Sequence, residues 1–160
     1  MIETIMIIVV FMVVLIVGLA FFFKFSMSSL EETGEDLCIV SNTVLLSSIT
    51  SMPEVECSVN GKTEDCIDTT KLVVFDPARE YGSYFSTICK QRVYFEDVYP
   101  LKNEEEVECT QGTYPNCNLY NFYDSDPDAL PGIKISTPVS LYYPLNEEYT
   151  VGRLVVEVLA

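Results

Sequence analysis

Histidine and tryptophan are both missing from this 160-residue chain, and only nine lysines and arginines stand against 24 aspartates and glutamates. Without histidine no Ser-His-Asp or Cys-His catalytic arrangement can be built, and zinc hydrolase sites lose their usual ligand. The net charge of −15 makes a surface that repels phosphate, which argues against nucleic acid as a partner and against adhesion to acidic lipid. Also lacking are a Gly-rich phosphate loop, a Cys-x-x-Cys pair, an internal repeat and an Asn-x-Ser/Thr acceptor, so asparagine-linked glycan is not expected. Carboxylate neighbours such as Glu96-Asp97 and Glu147-Glu148 belong, in so acidic a chain, to solvated surface. The reading is of a protein that is not an enzyme.

What is present begins with Ile5 to Phe23, nineteen uncharged residues of which fifteen are Ile, Val, Leu or Phe. At about 1.5 Å per helical residue the run spans roughly 30 Å, the thickness of a bilayer's hydrocarbon core. Its apolar side chains favour insertion by about 5 to 9 kcal/mol. Apolar all round, it lacks the polar face of a soluble core helix. A cleaved signal peptide is the rival reading, since Gly18-Leu19-Ala20 is a small-any-small triplet, but no Lys or Arg precedes the run and Phe21, Phe22, Phe23 and Phe25 prolong it. Membrane lipid is therefore the expected partner of residues 1–25.

Six cysteines follow, at 38, 57, 66, 89, 109 and 117. An even set without close pairs or histidine points to disulfides and to an oxidising space outside the cytoplasm. Lys24, the single basic residue near the run, would put the C-terminal side inside by the positive-inside rule. The cysteines outweigh it, so the C-terminal domain is placed outside a single-pass cell-membrane anchor. Cys57 and Cys66 flank Asn60-Gly61, a type I′ turn signal that would bring them together. Cys109 and Cys117 flank a loop with Gly112 and Pro115, which leaves Cys38 for Cys89, one of fifteen possible connectivities.

The expected fold class is α+β, with a transmembrane helix over 1–25, a helical stem over 26–52 and a disulfide-bonded, antiparallel β-rich head over 53–160. Ser29 and Glu32 have capping-box spacing. After Gly34, where a bend would fall, Leu37, Val40, Val44, Leu45, Ile49 and Met52 predict an amphipathic helix ending before Pro53, although Asn42 to Ile49 also fits a strand. Thr69 to Phe75 is a short apolar run closed by Asp76-Pro77. Gln91 to Tyr99 reads as a strand with Val93, Phe95, Asp97 and Tyr99 on one face. Ile133 to Tyr143 and Tyr149 to Leu159 read as an antiparallel hairpin that finishes the sheet, Pro138 marking an edge strand or a bulge.

Two further candidates concern binding. Asp124, Asp126 and Asp128 place carboxylates at alternate positions, as calcium ligands require, but Ala129 and Ile135 stand where an EF-hand loop has glycine and glutamate. A generic acidic loop is the plainer reading, and calcium is the one cofactor the sequence suggests. Ten tyrosines suit either a recognition surface or ordinary strands, and an exposed tyrosine cluster would favour partner binding.

An apolar N-terminal helix opened by an acid, Glu3, then a helical stem and a disulfide-bearing β-rich head, resembles the organisation of type IV pilins and archaeal pilin-like surface proteins. The resemblance covers organisation along the whole chain, and no basic residue precedes the run to mark a prepilin cleavage site. It implies a non-catalytic structural or assembly subunit, self-association or contact with other membrane proteins through the apolar helix, and an assembly role for Glu3 opposite a neighbour's amino terminus. A carboxylate lying in the head-group region is the plain alternative for Glu3. A membrane-tethered binding module for a cation or protein ligand, without polymerisation, is the second functional reading.

Overall fold

The structure, a computed structural model, describes the backbone of residues 2–59, 61–85, 89–100 and 105–159, and within these all side chains except those of 2–4, 28–36 and 59. The chain divides into two compact units, Met1–Leu37 and Cys38–Ala160. The described part of the first is entirely helical and belongs to helix α1, Ile2–Thr50. Within its segment Ile5–Met27 the most apolar 18-residue stretch has a mean hydropathy of 3.3, and none of that stretch is buried. A helix satisfies its backbone polar groups internally, so such side chains can face hydrocarbon on every side. The capping-box spacing of Ser29 and Glu32 does not start a new helix, because the backbone is already helical before them and stays so through Gly34.

The second unit contains the remaining elements: β1 (Glu56–Val59), β2 (Lys62–Asp68), α2 (Thr69–Val74), α3 (Pro77–Phe85), β3 (Gln91–Tyr99), β4 (Leu119–Asp124), β5 (Pro131–Tyr143) and β6 (Glu148–Leu159). The strands form one sheet in the order β1-β2-β5-β6-β3-β4. Every pairing is antiparallel except β2 with β5, which is parallel and joins only Ile67 to Leu141 and Asp68 to Tyr142. The fold is therefore α+β with a mostly antiparallel sheet. The β5–β6 hairpin lies at the centre of this sheet and does not close it, because β3 pairs on the far side of β6 and β2 reaches β5 from the other.

The end of α1 belongs to this unit. Its buried stripe is Cys38, Asn42, Leu45, Leu46 and Ile49, a helical face in which a cysteine and an asparagine take the first two places. Leu37, Val40 and Val44, expected on the inward face, are exposed. Asn42 is buried because its amide contacts sulfur, with Nδ2 3.4 Å from Cys38 Sγ and 3.7 Å from Cys89 Sγ. Leu45, Leu46, Ile49 and Met52 join Val93, Phe95, Tyr120, Phe122, Leu141, Tyr143, Leu154 and Val156 in one core. Disulfides link Cys38 to Cys89, Cys57 to Cys66 and Cys109 to Cys117.

Gly61 connects β1 to β2 at a φ of +76°, the left-handed region that a tight hairpin turn demands, while Asn60 lies outside the described residues. The run from Thr69 is a helix: Asp68 caps it, its carboxylate accepting from the backbone N–H groups of Thr70 and Lys71. In α3, Pro77 stands at the first helical position and Asp76 accepts from the N–H of Arg79, so a proline that reads as a terminator begins a helix instead. β3 forms where its alternation places it, but a register shift between Asp97 and Tyr99 sets Tyr99 opposite Val151. The extra residue, Val98, transfers Tyr99 from the core face to the outer one.

Candidate functional site

Side chains alternate across the pleat, so the central strands divide cleanly into two faces. One bears Val93, Phe95, Leu141, Tyr143, Leu154 and Val156 and is buried. The other is outward, and its charged residues meet at facing register positions. Asp124 is opposite Arg92, Arg92 opposite Glu157 and Glu157 opposite Lys134, giving a row of alternating sign across four adjacent strands.

Arg92 Nε lies 2.7 Å from Asp124 Oδ2, while its Nη1 is 3.8 Å from Glu157 Oε2. From the other side Lys134 Nζ is 3.4 Å from Glu157 Oε1, an ion-pair distance without hydrogen-bond alignment. The Glu157 side chain is only 3% exposed, because the long side chains beside it close over it. Its desolvation is tolerable because a cation flanks it on each side. Lys134 also donates to Tyr94 Oη at 3.3 Å and sits over that ring, and this contact holds its ammonium above its ordinary pKa. Further along, Glu96 pairs with Arg153. A cleft of about 310 Å³ opens over the row, with Glu106 and Glu108 on its rim.

Towards the β5–β6 turn the same face becomes aromatic. Tyr142 and Tyr149 have ring centroids 4.8 Å apart, and Tyr149 Oη donates to Glu64 Oε2 at 3.0 Å. Tyr99 is 72% exposed, Tyr149 50% and Val151 53%, with Leu145 at the turn 66% exposed. These residues come from separate stretches of sequence, and the strand register alone assembles them. The other tyrosines of the C-terminal half serve differently: Tyr120, Tyr123 and Tyr143 are buried, while Tyr94 and Tyr114 are half-buried.

Beneath the opposite face lies a buried polar chain. Tyr120 Oη donates to Tyr143 Oη at 2.9 Å, which donates to Asp97 Oδ2 at 2.8 Å. Burial pushes both phenols well above their ordinary pKa, and for Tyr143 the neighbouring Tyr120 and Asp97 push further in that direction. Asp97 itself is 4% exposed.

The alternate aspartates do not converge. Asp124 accepts from Arg92, and Asp126 Oδ2 lies 2.8 Å from Lys90 Nζ, an ammonium that holds the Asp126 carboxyl below the usual carboxylate range. The remaining oxygens accept within the loop, Asp124 Oδ1 from the N–H of Asp126 and Asp126 Oδ1 from that of Asp128. The alternation makes successive local turns, with Asp124 and Asp126 also paired to protein cations. Among the described residues no group of three or more His, Cys, Asp or Glu side chains is placed to hold a metal ion. The Glu3 side chain lies outside the described residues.

Comparison with protein-family models, with curated proteins and with solved structures finds no match. The outer face therefore stands on its own chemistry. Its charges neutralise one another in pairs, and beside them lies an exposed aromatic patch. Within the row each acid and each base has an opposite charge beside it.

Proposed function

We propose that this protein is a single-pass, membrane-anchored, extracytoplasmic subunit of pilin-like organisation that works by association and not by catalysis. The observation that carries the anchor is Ile5–Met27, a 23-residue helix with none of its most apolar window buried. Three disulfides in the second unit support an oxidising location for the head. The contact surface is the aromatic end of the outer sheet face, Tyr99, Tyr149, Val151 and Leu145. Tyrosine supplies large amphipathic area at low entropic cost.

Detergent extraction followed by electron microscopy tests assembly. Filaments with residues 5–23 in their core, lost on Glu3→Ala, are the expected result; dispersed monomers from native membranes would remove the polymerising reading. The exposed tyrosines favour the second reading in that event, a tethered module that binds a protein ligand through the same patch. Intact mass of the membrane-extracted chain separates both from a secreted protein cut after Ala20.

A further inference from the structure

Strand β5 is central by sheet order but open along most of its length. Its partner β2 meets it only at Leu141 and Tyr142, while β6 pairs with it from Lys134 to Tyr143. Between Lys134 and Ser140 no described strand occupies the side facing away from β6.

The direction of the backbone groups on that side follows from the ladder. Leu159 N–H donates to Lys90 C=O at 2.9 Å, so odd-numbered residues of β6 turn their backbone groups towards β3. Even-numbered residues of β6 then bond β5, and their register partners are the odd-numbered residues of β5. Lys134, Ser136, Pro138, Ser140 and Tyr142 therefore present their backbone groups outward. Tyr142 confirms the parity, since its C=O accepts from Thr69 Oγ1 at 2.9 Å. Pro138 stands at an outward position, where its missing N–H costs the β6 ladder nothing.

Where β2 diverges from β5, a wedge of about 360 Å³ opens beside this edge. Thr137 to Ser140 form one wall and Asp65 to Ile67 the other, with Thr50, Ser51 and Glu56 completing the lining, so that two acidic residues, Glu56 and Asp65, border the wedge. We infer that the β5 edge from Lys134 to Ser140 accepts an extended, lysine- or arginine-bearing segment of a partner protein as an added strand. Backbone bonding supplies the affinity, and the two acids select for positive charge. A second copy of this chain fits less well: it would bring acidic surfaces of a chain of net charge −15 together and place two prolines in one ladder. The site is distinct from the tyrosine patch and does not depend on that reading.

The test uses the full chain in nanodiscs and a short fluorescent peptide alternating lysine and valine, followed by anisotropy. Saturable binding is expected, weakened at least about tenfold by Ser136→Pro, which removes an outward N–H and leaves the β6 ladder intact. A Glu56→Gln, Asp65→Asn double variant should weaken binding about three- to tenfold and flatten its salt dependence. Two N-methylated peptides guard against misfolding of the proline variant. Methylation of one alternate set of amides should abolish binding, and methylation of the other set should spare it. Equal binding of both methylated peptides, or no binding at millimolar peptide, overturns the proposal. Dimerisation of the chain that is lost in Ser136→Pro, without peptide binding, also overturns it by giving the edge to a second copy.

Discussion

Gly152 shows how a single position is dictated by its neighbours. A Cβ built there would lie 2.6 Å from Leu141 Cδ1 and 2.8 Å from the Glu96 carbonyl oxygen, and a backbone oxygen in a sheet cannot step aside. Gly152→Ala should lower unfolding stability by about 1 to 3 kcal/mol, and an unchanged urea midpoint would show that the strands relax freely. The buried tyrosines make a second residue-scale prediction. Unfolded tyrosine ionises near pH 10, whereas burial keeps Tyr120 and Tyr143 protonated above that pH in the folded state. The folded chain then holds more protons than the unfolded one, so stability is complete below pH 10 and declines as pH rises beyond it. A Tyr120→Phe, Tyr143→Phe double variant should start less stable, because Asp97 loses its donor, and should show a shallower alkaline decline in thermal melts. Neither residue announces itself in the sequence, since a tyrosine in a strand reads alike whether it faces the core or water.

Among the elements, the short helices are the ones that local pattern left unassigned. Thr69-Thr70-Lys71-Leu72-Val73-Val74 is rich in β-branched residues, yet it forms α2 because Asp68 satisfies two N–H groups at its start and Leu72 is buried in the core. Capping and tertiary contact override propensity there. Asp68→Ala should therefore cost about 0.5 to 2 kcal/mol, measured by urea unfolding, and no loss would mean that packing of Leu72 alone holds the helix. The end of α1 was legible as a helix but not in its orientation. Leu37, Val40 and Val44 fit the period as well as Leu45 and Ile49 do, and only the Cys38–Cys89 bond with its contacting asparagine settles which stripe turns inward. By contrast β3 and the β5–β6 hairpin were readable directly, because strict alternation and a turn-rich interval leave few other local solutions.

Across the whole molecule the disulfides differ in what they constrain. Cys38–Cys89 closes a separation of 51 residues, against 9 and 8 for the other two. On the loop-entropy account it contributes about 4 kcal/mol and each short bridge about 2.5. Replacing both Cys38 and Cys89 by alanine should thus lower the melting temperature more than the same change at Cys57 and Cys66; the reverse order would mean that loop closure is not what governs their effect. The sequence by itself determined several properties: an unbroken apolar run that suits lipid, an acidic net charge, an even set of cysteines and strands where apolar and polar residues alternate. Each depends on residues near one another in sequence or on totals over the chain. The row from Asp124 to Lys134, the gathering of Tyr99 with Tyr149 and the open edge of β5 were decided only by the tertiary structure. They depend on which strands are neighbours and in what register, and the energies that fix this come from contacts between residues far apart in the chain, to which local pattern is blind.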